Sequence, residues 1–154
     1  MNLDEIKNDL SGAWTGENIL RLSWMTPPEY VSKSELTAES AVGGKFLTVK
    51  YTWEYENTRH EGLLLLGFDA EKEIVNAAWV DSWHSSVKPL ILSGNIGERV
   101  IDLRGTYAVP NHPDWGWRIA LNNSAEDNLQ IRMYNVSPEG AEDLAVSADY
   151  QRLS

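Results

Sequence analysis

Residues 45–56 read Lys-Phe-Leu-Thr-Val-Lys-Tyr-Thr-Trp-Glu-Tyr-Glu. Large apolar side chains fall at Leu47, Val49, Tyr51, Trp53 and Tyr55, with Thr48, Lys50, Thr52 and Glu54 between them. A period of two is the mark of a strand with one wet and one dry face, because successive strand side chains point to opposite sides. The polar set belongs in water, so the aromatic set faces inward. A helix would instead repeat its apolar residues every three or four positions.

The same rhythm extends in both directions. Candidate strands lie near 13–25, 30–40, 45–56, 60–68, 74–84, 87–94, 99–107, 115–122, 128–136 and 143–153. Turn chemistry separates them: Pro27-Pro28, Gly43-Gly44, Asp69 to Lys72, Asn95 to Gly97, Pro110 to Asp114, Asn122 to Asp127 and Ser137 to Gly140. A row of hairpins with one apolar face must hide that face and its two edges, and closing on itself does both. The expected fold is therefore all-β: a closed antiparallel up-and-down barrel of about ten strands, one domain over residues 1–154. Before the strands, Leu3, Ile6 and Leu10 share one helical face. Asn2 is placed to cap that helix with Glu5 three positions on, and Gly12 to stop it. So short a helix needs a larger body to pack on. It is expected to lie across one barrel end.

Alternation also assigns inward residues elsewhere. On the first strand Trp14, Asn18, Leu20, Leu22 and Trp24 oppose Thr15, Glu17 and Arg21. On the fifth, Val75, Ala77, Trp79, Asp81 and Trp83 share a face, and His84 falls on the other. A carboxylate between indoles is partly desolvated, which raises its pKa unless a cation pairs with it. Asp81 thus reads either as a ligand anchor or general base, or as a structural carboxylate bonded to backbone N–H groups, Arg118 or Arg132. A dyad with His84 would need a bulge in the strand. In Trp115-Gly116-Trp117, one indole is expected inside and one at the rim. Trp14 and Arg152 belong to the first and last strands, which are neighbours in a closed barrel. Cation–π contact between them would seal one end.

The ordered series Gly12-Ala13-Trp14-Thr15-Gly16, Gly43-Gly44-Lys45-Phe46-Leu47, Gly62-Leu63-Leu64-Leu65-Leu66-Gly67-Phe68-Asp69, Trp79-Val80-Asp81-Ser82 and Leu92-Ser93-Gly94 resembles a bacterial family of lipocalin-like domains of unknown function, within the calycin superfamily. The resemblance runs from about residue 10 to the end. It implies a barrel and a bacterial cytoplasmic setting, without an established activity. Related haem-binding barrels place a proximal His on their last strands, and this chain has none there.

Composition narrows the function classes. The net charge is −10, so nucleic acid and anionic membranes are not expected partners. There is no Cys, and the three His have no metal-ligand spacing. No cofactor, haem or structural metal is expected. Asp4, Glu5 and Asp9 at the start are unlike a signal peptide, which points to the cytoplasm. Seven Trp are many for this length. Inward aromatic residues in a wide barrel point to a small apolar or aromatic ligand. Tyr51, Trp53, Tyr55, Trp79 and Trp83 would form the walls, and Asn18 and Asp81 the polar anchors. An alternative is an acid/base enzyme of isomerase or cyclase type using Asp81 in the same cavity. Another is an interaction protein with a filled barrel. The chain is expected to be a monomer or homodimer, and no residue is assigned a catalytic role.

Overall fold

The computed structural model describes residues 3–125 and 127–153, apart from the side chain of Leu3. Asn2, expected as the helix cap, lies outside the described residues. Helix α1 (Leu3–Leu10) precedes β1 (Gly12–Arg21), β2 (Glu29–Ala41), β3 (Phe46–Tyr55), β4 (Thr58–Asp69) and β5 (Ile74–Asp81). Then come β6 (Ser85–Gly97), β7 (Val100–Val109), β8 (His112–Asn122), β9 (Asn128–Val136) and β10 (Glu142–Arg152). Every strand pairs antiparallel with its sequence neighbours, and β1 pairs with β10 to close the barrel. The hairpins follow turn chemistry. Tyr55 pairs with Thr58, and the two residues between them, Glu56 and Asn57, have φ of 50° and 62°. Two left-handed residues make the reversal whose twist matches that of paired strands.

Alternation predicts the inner wall well. Leu47, Val49, Tyr51 and Trp53 are buried, as are Trp14, Asn18, Leu20 and Leu22. They join one continuous core with Val75, Ala77, Trp79, Ile119, Leu121, Ile131 and Met133. Two expected inward residues are not inside. β1 ends at Arg21, where the chain turns through Met25 N–H to Leu22 carbonyl and Leu22 N–H to Pro28 carbonyl bonds. Trp24 sits on that turn, 74% exposed. β5 likewise ends at Asp81, so Trp83 lies in a turn and is 38% exposed.

One barrel end is closed. The Trp14 indole N–H donates to the Leu10 carbonyl at 2.9 Å. Arg152 stacks over the Trp14 ring, 4.2 Å from its centroid. Its guanidinium also donates to the carbonyls of Ser11 at 2.8 Å and of Asp9. Those carbonyls end the helix and have no intrahelical partner, so a cation there satisfies both their lone pairs and the helix dipole. Gly12, at φ 123°, makes the corner from helix to strand. The helix lies across the end: Lys7 Nζ reaches the Gly44 carbonyl in the β2–β3 turn at 2.5 Å, and Asn123, beyond β8, donates to the Asp9 carbonyl at 3.4 Å. These anchors stand on opposite sides of the ten-strand ring.

Two outcomes check this closure. Trp14→Ala should lower the unfolding free energy by about 3–5 kcal/mol in urea titrations, the range for a buried Trp. Removing residues 1–11 takes away the acceptor of the Trp14 N–H and the cover of Ile6 and Leu10. It should lower the Tm by at least ~5 °C in a thermal melt.

Candidate functional site

The open end, opposite the helix, is built from β3, β4, β5 and the turn after β5. Asp81 is buried there at the end of β5. Its Oδ2 accepts from the Tyr51 hydroxyl at 2.6 Å and the Trp53 indole N–H at 3.3 Å, and its Oδ1 from the backbone N–H groups of Trp83 at 2.9 Å and His84 at 3.0 Å. The Trp79 indole donates in turn to the Tyr51 oxygen at 2.9 Å. The carboxylate is thus the hub of a satisfied buried network.

Gly62 makes the hub possible. It pairs with Tyr51 on one side and Asp81 on the other. A Cβ there would fall 2.0 Å from Tyr51 Cζ and 2.1 Å from its oxygen. The phenol therefore lies across the glycine and delivers its hydroxyl to the next strand.

The turn after β5 also places His84. Side-chain acceptance of two successive N–H groups by Asp81 folds the chain back on itself, an Asx-type turn. His84 was expected on the opposite face from Asp81. The turn instead brings it inward, with Nδ1 3.4 Å from Asp81 Oδ1. That is close enough for charge attraction, although it lacks the alignment of a hydrogen bond. The imidazole is ringed by Trp53, Trp79, Trp83 and Trp117 at centroid distances of 5.4, 5.9, 4.7 and 5.5 Å.

Burial raises the Asp81 pKa, as anticipated. The neighbouring His84 imidazole, the Tyr51 hydroxyl and the His84 N–H together outweigh it, and the result is lowered to about 2. Tyr51 moves the other way. Burial and then the Asp81 charge push its hydroxyl well above the ordinary value, so it remains a donor. Arg118 and Arg132 do not reach Asp81. They are paired on the outer wall, Arg118 with Asp102 at 2.9 Å and Glu142 at 3.1 Å, Arg132 with Asp149 at 2.9 Å.

The remaining expected site residues separate into two groups. Tyr55 is half-buried at the rim, edge-on to Tyr30 and Trp83 at 5.1 and 5.8 Å. Asn18 is buried on the far side of the ring, in register with Ala148 and Ser32, and is not bonded to Asp81.

Alternation did not reveal a breach in the wall. β6 and β7 pair only from Ser93–Arg104 to Gly97–Val100. Toward the open end they part. On β6, Ser86, Val87, Lys88 and Pro89 stand opposite Val80 alone, between the Trp79–Leu90 and Asp81–Ser85 pairs. So long a bulge bends its strand away from the neighbour, and Pro89 has no N–H to offer a ladder. The gap is a cavity of about 630 Å³. Outward residues Ile91, Thr106 and Ala108 line it together with inward Trp79, His84, Leu90, Tyr107, Trp117 and Asn135. Residues of both faces line one cavity only where the wall itself is open.

At its floor Trp117 stacks on Trp79, 5.2 Å apart and 11° from parallel. Trp117 is 8% exposed, and Trp115 is half-buried. The Trp117 indole N–H and both His84 ring nitrogens are buried without a hydrogen-bond partner among the described residues. Tyr107 donates to Asn135 Oδ1 at 2.5 Å. Pro89 and the Trp115–Trp117 pair were the available sequence signals, but neither says which strand pairing fails. Among the described residues, no group of three or more His, Asp or Glu is placed to hold a metal ion. None of their helices is long and apolar enough to cross a membrane.

The lowered Asp81 pKa has a signed consequence. Its stabilisation is complete above the unfolded carboxylate value of 3.8 and is lost as pH falls through about 2. The contribution is roughly 2 kcal/mol. Asp81→Asn should flatten the acid limb of a stability-versus-pH curve measured from pH ~6 to ~2. Gly62→Ala should cost about 1–3 kcal/mol by displacing Tyr51 from Asp81, checked by urea unfolding.

No curated protein matches the chain. Its fold is similar to that in the crystal structure of Rv2717c from M. tuberculosis, with a TM-score of 0.68, covering 100% of this chain and 99% of that one at 14% identity. At that identity the likeness concerns the fold alone. A family model described as "Protein of unknown function (DUF1579)" matches residues 6–152, the whole barrel and most of the helix. The chain therefore belongs to the DUF1579 family.

Proposed function

We propose that the protein binds a small, flat apolar or aromatic molecule in the side opening between β6 and β7. One observation carries this reading: the Trp117 N–H and His84 Nε2 are buried beside that opening without a hydrogen-bond partner among the described residues. Leaving a buried polar group unanswered costs about 1–3 kcal/mol, so such groups are uncommon away from places where something else answers them. The cavity volume of about 630 Å³ suits a small ligand, and its walls are mostly rings and aliphatic carbon.

The site lies nearer the rim than alternation alone suggested. Tyr51, Trp53 and Asp81 support it from behind, because their polar atoms already bond one another. This favours binding over acid/base chemistry by Asp81, whose two oxygens are occupied by protein donors.

Titration with 2-naphthol, followed by indole fluorescence and by the indole N–H signals in a ¹⁵N–¹H spectrum, tests the proposal. The Trp79 and Trp117 signals should move while that of Trp14, at the other end, stays. Ala108→Trp, which fills the opening from its outer lip, should abolish the effect and leave the Tm unchanged. Trp79 and Trp117 signals that stay fixed at ~1 mM probe, a concentration that reaches even weak pockets, would sink the idea.

A further inference from the structure

Building on that binding site, we infer that its ligand is an anion: a flat aromatic molecule with a carboxylate or a comparable acceptor group. The argument is the donor inventory of the opening. An indole N–H can only donate, so whatever answers Trp117 must accept. Asn135 Oδ1 is taken by the Tyr107 hydroxyl, which leaves the amide N–H₂ of Asn135 for a further acceptor. Lys88 stands at the lip, exposed. His84, beside the Asp81 carboxylate, donates from Nε2 whenever it carries both protons.

No Asp or Glu is among the described residues that line the opening. This is notable in a chain with 23 acidic residues against 13 Lys and Arg. Asp81 stands behind His84, and its charge is held by four protein donors. The rings of Trp79, Trp117 and Tyr107 supply flat walls, and the donors supply one polar corner. Such a pocket rejects cations, which would leave the Trp117 N–H unanswered and face Lys88. Neutral rings gain only the walls.

Three probes of equal shape separate the possibilities: 2-naphthoate, 2-naphthamide and 2-naphthylmethylammonium, titrated calorimetrically into the full chain at neutral pH. Naphthoate should bind about tenfold tighter than the amide, the worth of one charge-assisted hydrogen bond over a neutral one. The ammonium should bind more weakly still. The Trp117 indole N–H signal should move downfield with naphthoate.

Lys88→Gln should weaken naphthoate by about threefold, as for an exposed charge pair, without changing the amide. Trp117→Phe keeps a ring but removes the donor, and should erase most of the preference. If that variant does not fold, Lys88→Gln on its exposed lip carries the comparison. An amide or ammonium that binds as tightly as naphthoate overturns the anion and leaves the pocket standing. Failure of all three to bind overturns the pocket itself.

Discussion

A ring of ten strands is too wide for aliphatic side chains to fill, and the indoles that fill it each bring an N–H that must be answered. Much of this structure is the solution to that constraint. Trp14, Trp53, Trp79 and Trp117 are all buried. Trp14 donates to the last carbonyl of α1, Trp53 to Asp81, and Trp79 to the Tyr51 oxygen. The helix, the buried carboxylate and the phenol are thus positioned as acceptors for the core's own bulk. Trp117 has no acceptor among the described residues. It also lines the place where the wall opens.

The two ends answer the constraint differently. At the helix end the chain closes itself, through Arg152 on Trp14 and on the carbonyls of Asp9 and Ser11. At the other end a single carboxylate organises the rim. Asp81 holds the turn that returns His84 to the interior, and Gly62 clears the space for the phenol that holds Asp81. The rigidity of this hub matters to the opening beside it. Trp79 belongs to both: its N–H is fixed by Tyr51, while its ring backs Trp117. A binding wall locked from behind is preorganised, which reduces the ordering a ligand must bring about.

The strand count, closure, inward faces and Trp14–Arg152 contact were legible in the sequence because they depend on alternation and on one topological rule. Sequence reasoning failed where strands end. Trp24 and Trp83 continue the alternating pattern on paper, yet the chain has already turned at Arg21 and Asp81. His84 was misplaced for the same reason, since its orientation is set by a side-chain-held turn rather than by the pleat. The breach between β6 and β7 was hidden for a different one. Residues 87–94 carry a plausible strand pattern, and Leu90 to Gly94 do pair with β5; what fails is the register of 86–89 against Val80 and the pairing with β7 before Ser93. Pairing of that kind is a property of two segments together, which the periodicity of either one does not contain.

The seam between β1 and β10 has a kinetic meaning. Nine of the ten strand pairings join sequence neighbours and form as hairpins, with short loops to close. The tenth joins Trp14 to Arg152 across almost the entire chain. Each doubling of a loop adds only about 0.6 kcal/mol of closure entropy, so the penalty for this contact is modest once the meander has curled. Without the curled meander the same contact has to be found by a chain with few constraints. Closure is therefore the natural final event of folding. The Arg152–Trp14 stack, together with the helix it caps, then acts as a clasp on an already coiled sheet, and unclasping it is the natural first event of unfolding.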